Sequence, residues 1–277
     1  MEIREASIND WELLHEFFIK FYRDGHPLHQ KYFWEWQYGD PQFGRSFICL
    51  NAFGAIVGHI GANFGGGLAW IINVYLEKDY RSKGILRKLY ALAREYYPLA
   101  ATSANKAGLG LYKKMGWIRY YDLIRYVKIN PIIRSRSLNN VCKNINVSID
   151  NIITKEEHYL RQPSIIGIKL NGSSQAVSQT NVGGLRVIPF ERAKALEENA
   201  WDLGYLWMDY LTSWNDLKTN NLEKNGWVPD YNTVVPWRLN PIVENYYCKI
   251  SFLSEMPLDP NFVVNRSYSD HGRIGSL

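Results

Sequence analysis

The sequence predicts a mixed α/β fold laid out as two successive units, and three observations carry that expectation. Short apolar strands alternate with amphipathic helices along the 277 residues, the pattern of layered α/β architectures. A stretch without usable hydrophobic period, Pro131 to Leu138, interrupts the alternation near the middle. The order helix, strand, helix, strand over Gly84 to Lys128 also recurs over Glu191 to Arg238. The units are therefore expected at residues 1–130 and 131–277, with a boundary between Ile129 and Val147.

In the first unit Glu2 to Ala6 is a short strand, and Ser7 with Asp10 three residues on forms a capping-box variant. Trp11, Leu14, Phe17, Phe18, Phe21 and Tyr22 repeat at helical spacing. Lys31 to Tyr38 is a second helix. Strands Ser46 to Phe53 and Ala55 to Asn63 are joined by a tight turn at Gly54, and Leu68 to Leu76 is a near-continuous apolar strand. A helix from Gly84 to Tyr96 carries Ile85, Leu86, Leu89, Leu92 and Ala93 on one side. Leu99 to Ser103, Lys106 to Met115 and Trp117 to Lys128 then read as strand, helix and long strand. In the second unit Ile165–Leu170, Leu185–Phe190, Leu206–Leu211, Asn232–Arg238 and Tyr246–Leu253 read as strands. Glu191–Ala200 and Asp216–Asn225 read as helices. Leu111–Trp117 and Asn221–Trp227 share three of seven residues, a Gly before a Trp among them; a glycine closing a helix is common in any case.

The composition, 46% hydrophobic and 21% charged, excludes bulk disorder. The longest strongly apolar run, Leu68 to Leu76, is far shorter than the ~20 residues of a membrane-spanning helix, so no membrane association is expected. The opening Met-Glu-Ile-Arg-Glu lacks a basic start with an apolar core. Cys49, Cys142 and Cys248 are scattered and without metal-type spacing; reduced thiols, no metal site and a cytoplasmic location are expected. Residues 1–130 hold seventeen Lys+Arg against twelve Asp+Glu, whereas 131–277 are balanced at fifteen each. An anionic ligand is expected on the first half, although an uneven surface would give the same count. The surplus is too small and dispersed to indicate nucleic acid.

Two segments carry chemistry. In Tyr75–Arg87 a strand ends, a basic turn with one glycine follows, and a helix begins. Free N–H groups and the positive end of the helix dipole make such a joint a cradle for pyrophosphate, with Arg81, Lys83, Arg87 and Lys88 around it. About twenty residues on, Asn105 and Tyr112 are two helical turns apart and share a helix face. A tyrosine hydroxyl beside a ligand can protonate a leaving group; a half-buried structural aromatic fits the same position.

Together these segments resemble the GNAT superfamily of N-acetyltransferases. Its signature Arg/Gln-x-x-Gly-x-Gly/Ala is matched by Arg81 and Gly84, with Leu86 in place of the small third residue. Its later motif, Asn, six residues, Tyr, three residues, Gly and an aromatic, is matched by Asn105, Tyr112, Gly116 and Trp117. The resemblance implies a GNAT fold with acyl-CoA (acetyl-CoA or a short hydroxyacyl-CoA) as co-substrate and no metal. It implies pantetheine against Leu76 and Asn105, pyrophosphate against Arg81, Ser82, Lys83, Gly84, Ile85 and Leu86, and Tyr112 as the acid for the departing thiolate. The strand positions where many relatives carry an acidic base are Trp70 and Ile72 here. The nearest polar residue, Asn73, takes no proton at neutral pH.

The second half lacks the signature. Ile188–Arg192 stands at the corresponding joint, with Glu191 where an anion would sit. It is expected to be a degenerate GNAT-like unit completing an acceptor pocket. The tandem layout, His26-Pro27-Leu28 and Phe33–Tyr38 with Trp36 look like bacterial sugar N-acyltransferases, which acylate an amino group on a nucleotide-linked deoxysugar for surface polysaccharide. Ten Trp and nineteen Tyr suit sugar faces and bases, although most such rings are core. His26, Trp36, Asp270 and His271 are the candidate acceptor residues, with a solvated tail as the other reading of the last two. A protein, aminoglycoside or amino-acid acceptor, or a CoA-binding module without catalysis, stays open.

Overall fold

A computed structural model describes residues 1–103, 106–131, 165–170, 173–179, 184–187, 193–202, 204–229, 250–265 and 268. The first part of the chain forms β1 (Glu2–Glu5), α1 (Trp11–Phe21), α2 (Lys31–Tyr38), β2 (Gly44–Leu50), β3 (Ile56–Gly65) and β4 (Leu68–Leu76). It continues with α3 (Ile85–Arg94), β5 (Leu99–Ser103), α4 (Lys106–Lys114) and β6 (Ile118–Asp122). Next come β7 (Ile124–Ile129), β8 (Ile165–Leu170), β9 (Ser173–Gln179), β10 (Gly184–Val187), α5 (Ala193–Asp202) and β11 (Trp207–Thr212). The described elements end with α6 (Thr219–Lys224), β12 (Val228–Pro229) and β13 (Ser251–Ser254). The fold is mixed α/β, as expected. It divides into two compact units, one holding Met1–Arg119 with Leu253–Pro257, the other holding the described residues of Tyr120–Phe252 with 258–265. The division thus falls at residues 119 and 120, whereas the expected linker after residue 131 lies outside the described residues.

One sheet has the order β1-β2-β3-β4-β5-β13-β6. Alternation along its strands sends side chains to two separate cores. On one face Ile48, Leu50, Ile56 and Ile72 pack with Trp11, Leu14, Phe17 and Phe18 of α1 and Phe33, Trp34 and Tyr38 of α2. On the other, Phe47, Cys49, Val57, Ile71 and Leu76 pack with Ile85, Leu89 and Tyr90 of α3 and Tyr112 of α4. At the chain start Asp10 accepts the Ser7 N–H at 2.8 Å and a bidentate Arg4 pair at 2.6 and 2.8 Å. The Arg4 hydrogen bonds, followed by those from Ser7, hold its carboxyl down at about 2 against the cost of burial.

The other sheet has the order β12-β7-β11-β10-β9-β8, with Tyr126, Leu185, Val187, Met208, Tyr210, Leu222 and Trp227 in its core. Two expectations are corrected here. The single long strand from Trp117 to Lys128 is two strands in different sheets, parted at Leu123, whose N–H donates to Ile250 O at 2.6 Å. The adjacent apolar pair Leu123-Ile124 breaks the period of two there. The helix expected from Asp216 begins at Thr219, because the Asp216 carboxylate accepts from Tyr210 Oη, Thr212 Oγ1 and Lys218 N instead. Strand β9, rich in Ser and Gln, has no apolar alternation to announce it. The expected strands at 232–238 and 246–249 lie outside the described residues.

Candidate functional site

The site begins where a parallel ladder stops. Strands β4 and β5 pair only over Ala69–Leu99, Trp70–Ala100 and Ile71–Ala101, and beyond Ile71 they pair with each other no further. A gap between parallel strands leaves peptide groups facing an opening, a fit for an extended ligand that carries amides. Thr102 Oγ1, just past the last pair on β5, is buried without a hydrogen-bond partner.

At the end of β4 the chain makes the basic turn. Arg81 Nε donates to Leu76 O at 2.9 Å, tying the turn to the strand end, and its guanidinium lies 5.9 Å from the Tyr75 ring. Ser82 and Gly84 both take left-handed conformations, φ 62° and 73°. Such residues turn successive N–H groups toward one side, a concavity suited to anions. Gly84 directly precedes α3, and a Cβ built on it meets no atom within 4 Å. The space in front of the helix N-terminus is therefore open, while Arg81, Ser82, Lys83 and Gly84 are exposed. Ile85 turns inward, and Leu86 packs partly against the same core, which accommodates the larger third residue of the signature. Coenzyme A fits this constellation: a parted strand pair for pantetheine, and an open N-terminal turn for pyrophosphate.

Tyr112 lies on α4 in the core that also holds Leu76 and Ile85. Its ring stacks on Trp117, centroids 4.6 Å apart. Beside it, on α3, Tyr90 is fully buried, its hydroxyl next to the Tyr112 phenol. Burial first, and the neighbouring Tyr112 phenol second, push the Tyr90 hydroxyl well above its ordinary pKa.

The face of the sheet under α1 and α2 holds a polar cluster that sequence reasoning did not find. Strand β4 bulges against β3, with the register shifting between His59 and Gly61. Asn73 sits in that irregularity at φ 49°, a conformation Asn tolerates better than most residues. Its carbonyl accepts from Tyr22 Oη at 2.7 Å and from His59 Nδ1 at 3.0 Å, and its Nδ2 donates to Tyr38 Oη at 2.9 Å. Since a carbonyl can only accept, His59 carries its proton on Nδ1, and Nε2 accepts from Ser46 Oγ at 2.8 Å. Burial lowers the His59 pKa to about 4, so the ring is neutral at pH 7. No alternation or spacing marks His59; its partners converge from four elements.

His26 joins this region through Tyr22, ring centroids 4.7 Å apart, and its Nδ1 accepts from Leu28 N at 3.2 Å. Trp36 packs instead along α2 against Phe33 at 5.4 Å. Asn105, Asp270 and His271 lie outside the described residues. Among the described residues, no group of three or more His, Cys, Asp or Glu could hold a metal ion, and no helix is long and apolar enough to cross a membrane.

Residues 11–117 match the family model described as the Acetyltransferase (GNAT) family. A Pyrococcus horikoshii structure described as a candidate acetyltransferase aligns at 17% identity with a TM-score of 0.55, over 94% of this chain and 90% of its own. That likeness is one of fold. A Staphylococcus aureus acetyltransferase of the GNAT family aligns at 18% identity over 43% of this chain and 84% of its own, TM-score 0.37. A PaiA N-acetyltransferase from Thermoplasma acidophilum, solved with coenzyme A, aligns at 20% identity over 43% and 90%, TM-score 0.35. No curated protein matches the sequence.

Proposed function

We propose that the chain, whose residues 11–117 match the GNAT acetyltransferase family model, moves an acyl group from acyl-CoA to the amino group of a small molecule, a nucleotide-linked amino deoxysugar in particular. The observation that carries the acyl-CoA reading is the parting of β4 from β5 after Ile71, on the strand whose end leads into the left-handed turn at Ser82 and Gly84. In this reading Leu76 and Asn105 lie along pantetheine, and N–H groups of Arg81–Leu86 receive the pyrophosphate. Bound acyl-CoA supplies an activated thioester to an attacking amine. Tyr112 protonates the departing thiolate, and the transfer is direct; the cysteine among the described residues, Cys49 on the face of Tyr112, is buried, with its thiol pKa pushed up by burial.

For the acceptor, the support is an aromatic and cationic surround. Phe21 and Tyr75 stack at 4.6 Å, Tyr22 and His26 adjoin them, and Arg81 and Lys83 lie at the strand end. Such rings suit a sugar or base, and the cations suit its phosphates. The second unit is a degenerate GNAT-like partner in this proposal. Partners are small molecules, without nucleic acid or membrane, in the cytoplasm. The test is calorimetric titration with coenzyme A, then thiol release from acetyl- and hydroxyacyl-CoA against amino-sugar nucleotides, aminoglycosides and polyamines. Turnover with amino-sugar nucleotides alone supports the full reading. Coenzyme A binding without turnover on any amine would leave a binding module.

A further inference from the structure

The acyl-transfer reading leaves the strand without the carboxylate that would deprotonate an amine, since Trp70 and Ile72 occupy those positions and both are buried. What the strand does present there is Asn73. The bulge places Asn73 on the α1 and α2 face with Ile72 and Tyr75, and it is partly exposed. Four side chains hold it: Tyr22 and His59 on its carbonyl, Tyr38 on its Nδ2, and Ser46 behind His59. The ring of His59 is itself enclosed by Phe17, Phe18 and Tyr38, at centroid distances of 6.3, 5.0 and 6.1 Å. A backbone held in a sparsely populated region by this much surrounding structure is a mark of function. With Nδ2 committed to Tyr38, the carboxamide has Oδ1 left to accept an N–H.

Resting on the acyl-transfer reading, we propose that Asn73 Oδ1 orients the acceptor amine, that His59 is a positioning residue acting through Asn73, and that no protein base takes part. Among the described residues, the titratable groups around Asn73 are His59 on β3, Tyr22 at the end of α1, Tyr38 on α2, Tyr75 on β4, and His26, whose charge is felt at His59. The nearby cation among the described residues is Arg81 over Tyr75, and the carboxylate of Glu77 is paired with Lys20 at 2.9 Å. His59 is neutral and saturated on both nitrogens. His26 has its Nδ1 lone pair engaged by a backbone N–H, so as a neutral ring it carries a proton on Nε2 and donates.

The reaction balances without a base when the amine enters neutral. Its nitrogen lone pair forms the C–N bond, the C–S bond breaks, the nitrogen sheds one proton and the thiolate gains one. The site therefore selects amines that hold a neutral fraction near pH 7, such as sugar amines, over alkylamines as basic as lysine at ~10.4.

The experiment measures kcat/KM against pH with whichever amine the wild-type protein acylates, beside Asn73→Gly, His59→Leu and His59→Asn. Glycine keeps the left-handed backbone and deletes only the carboxamide. Asparagine at 59 keeps a donor near the position of Nδ1, whereas leucine removes it. The wild-type profile is expected to rise to an inflection at the pKa of the free acceptor amine. Asn73→Gly should lower kcat/KM ~10²-fold through lost orientation, with acetyl-CoA affinity unchanged. His59→Leu should reproduce that loss, and His59→Asn should restore most of it. An inflection a full unit below the amine's own pKa would reveal a protein base and overturn the inference, as would wild-type kinetics in Asn73→Gly. If no amine is acylated, the acyl-transfer reading falls and takes this inference with it; acylation indifferent to Asn73 removes the inference alone.

Discussion

Strands β4 and β5 in the first unit and β10 and β11 in the second are both parallel neighbours with a helix between them in sequence, yet they pair differently. The first pair separates after three residues of β4's nine. In the second, all four residues of β10 pair with β11, from Gly184–Trp207 to Val187–Tyr210, and the Trp207 indole fills the space over Gly184. Ending a ladder early leaves an opening that a ligand backbone can enter, and over the described residues Gly184–Val187 the second ladder leaves none.

The helices that follow make a closer pair. In α4, Trp117 N donates to Tyr112 O at 3.0 Å and Gly116 N to Lys113 O at 3.1 Å. In α6, Trp227 N donates to Leu222 O and Gly226 N to Glu223 O, each at 3.0 Å. Both glycines are left-handed, φ 78° and 79°, and both helices end in the same two-bond cap. At the first position of the cap the first unit has Tyr112, with a phenol hydroxyl. The second has Leu222, with none. On β7 and β11 the second unit buries charge: the Arg125 and Asp209 side chains are both 0% exposed, joined Nε to Oδ2 at 2.8 Å. Among the described residues, the first unit keeps an opening and a phenol, whereas the second commits Arg125 and Asp209 to internal structure.

The largest effect that sharpens this contrast is structural. Arg125→Met should destabilise the second unit by about 3–5 kcal/mol, since it removes the cation bonded to the buried Asp209 carboxylate, while Arg125→Met with Asp209→Leu should recover most of that loss. Chemical denaturation of the three proteins checks it. Next, Gly84→Val forces a β-branched residue into a left-handed turn and fills the open cradle. Coenzyme A affinity should fall ~10³-fold, about 4 kcal/mol, in a protein that stays folded; unchanged calorimetric affinity would place the cradle elsewhere.

Acid should weaken the first unit through His59. Folding favours its neutral ring, which titrates at about 4, against ~6.5 in an unfolded chain. That stabilisation is complete above pH ~6.5 and is lost as pH falls toward 4, by about 3 kcal/mol in all. Melting curves across this window should show it, and His59→Asn should flatten the dependence. The smallest of the four effects tests the capped helices: Tyr112→Phe should slow kcat by ~10²-fold with coenzyme A affinity intact if it supplies the acid. Stopped-time thiol assays on the variant decide it, and an unaltered kcat would make Tyr112 the structural counterpart of Leu222.

What the sequence by itself determined is local. Apolar periodicity marked α1, β4 and α3 almost to the residue, and the basic turn with its glycine marked the left-handed joint, because those signals are written in neighbouring residues. The shared Lys-x-Gly-Trp endings of α4 and α6 were legible for the same reason. Tertiary structure alone decided the rest. The parting of β4 from β5 depends on register between segments some thirty residues apart, and the division of Ile118–Ile129 between two sheets depends on partners as distant as β13 and β11. The Asn73 cluster draws Tyr22, Tyr38, Ser46 and His59 from four elements. Hydrogen bonds across such separations leave no period in the chain, so they are visible only once folding has brought their ends together.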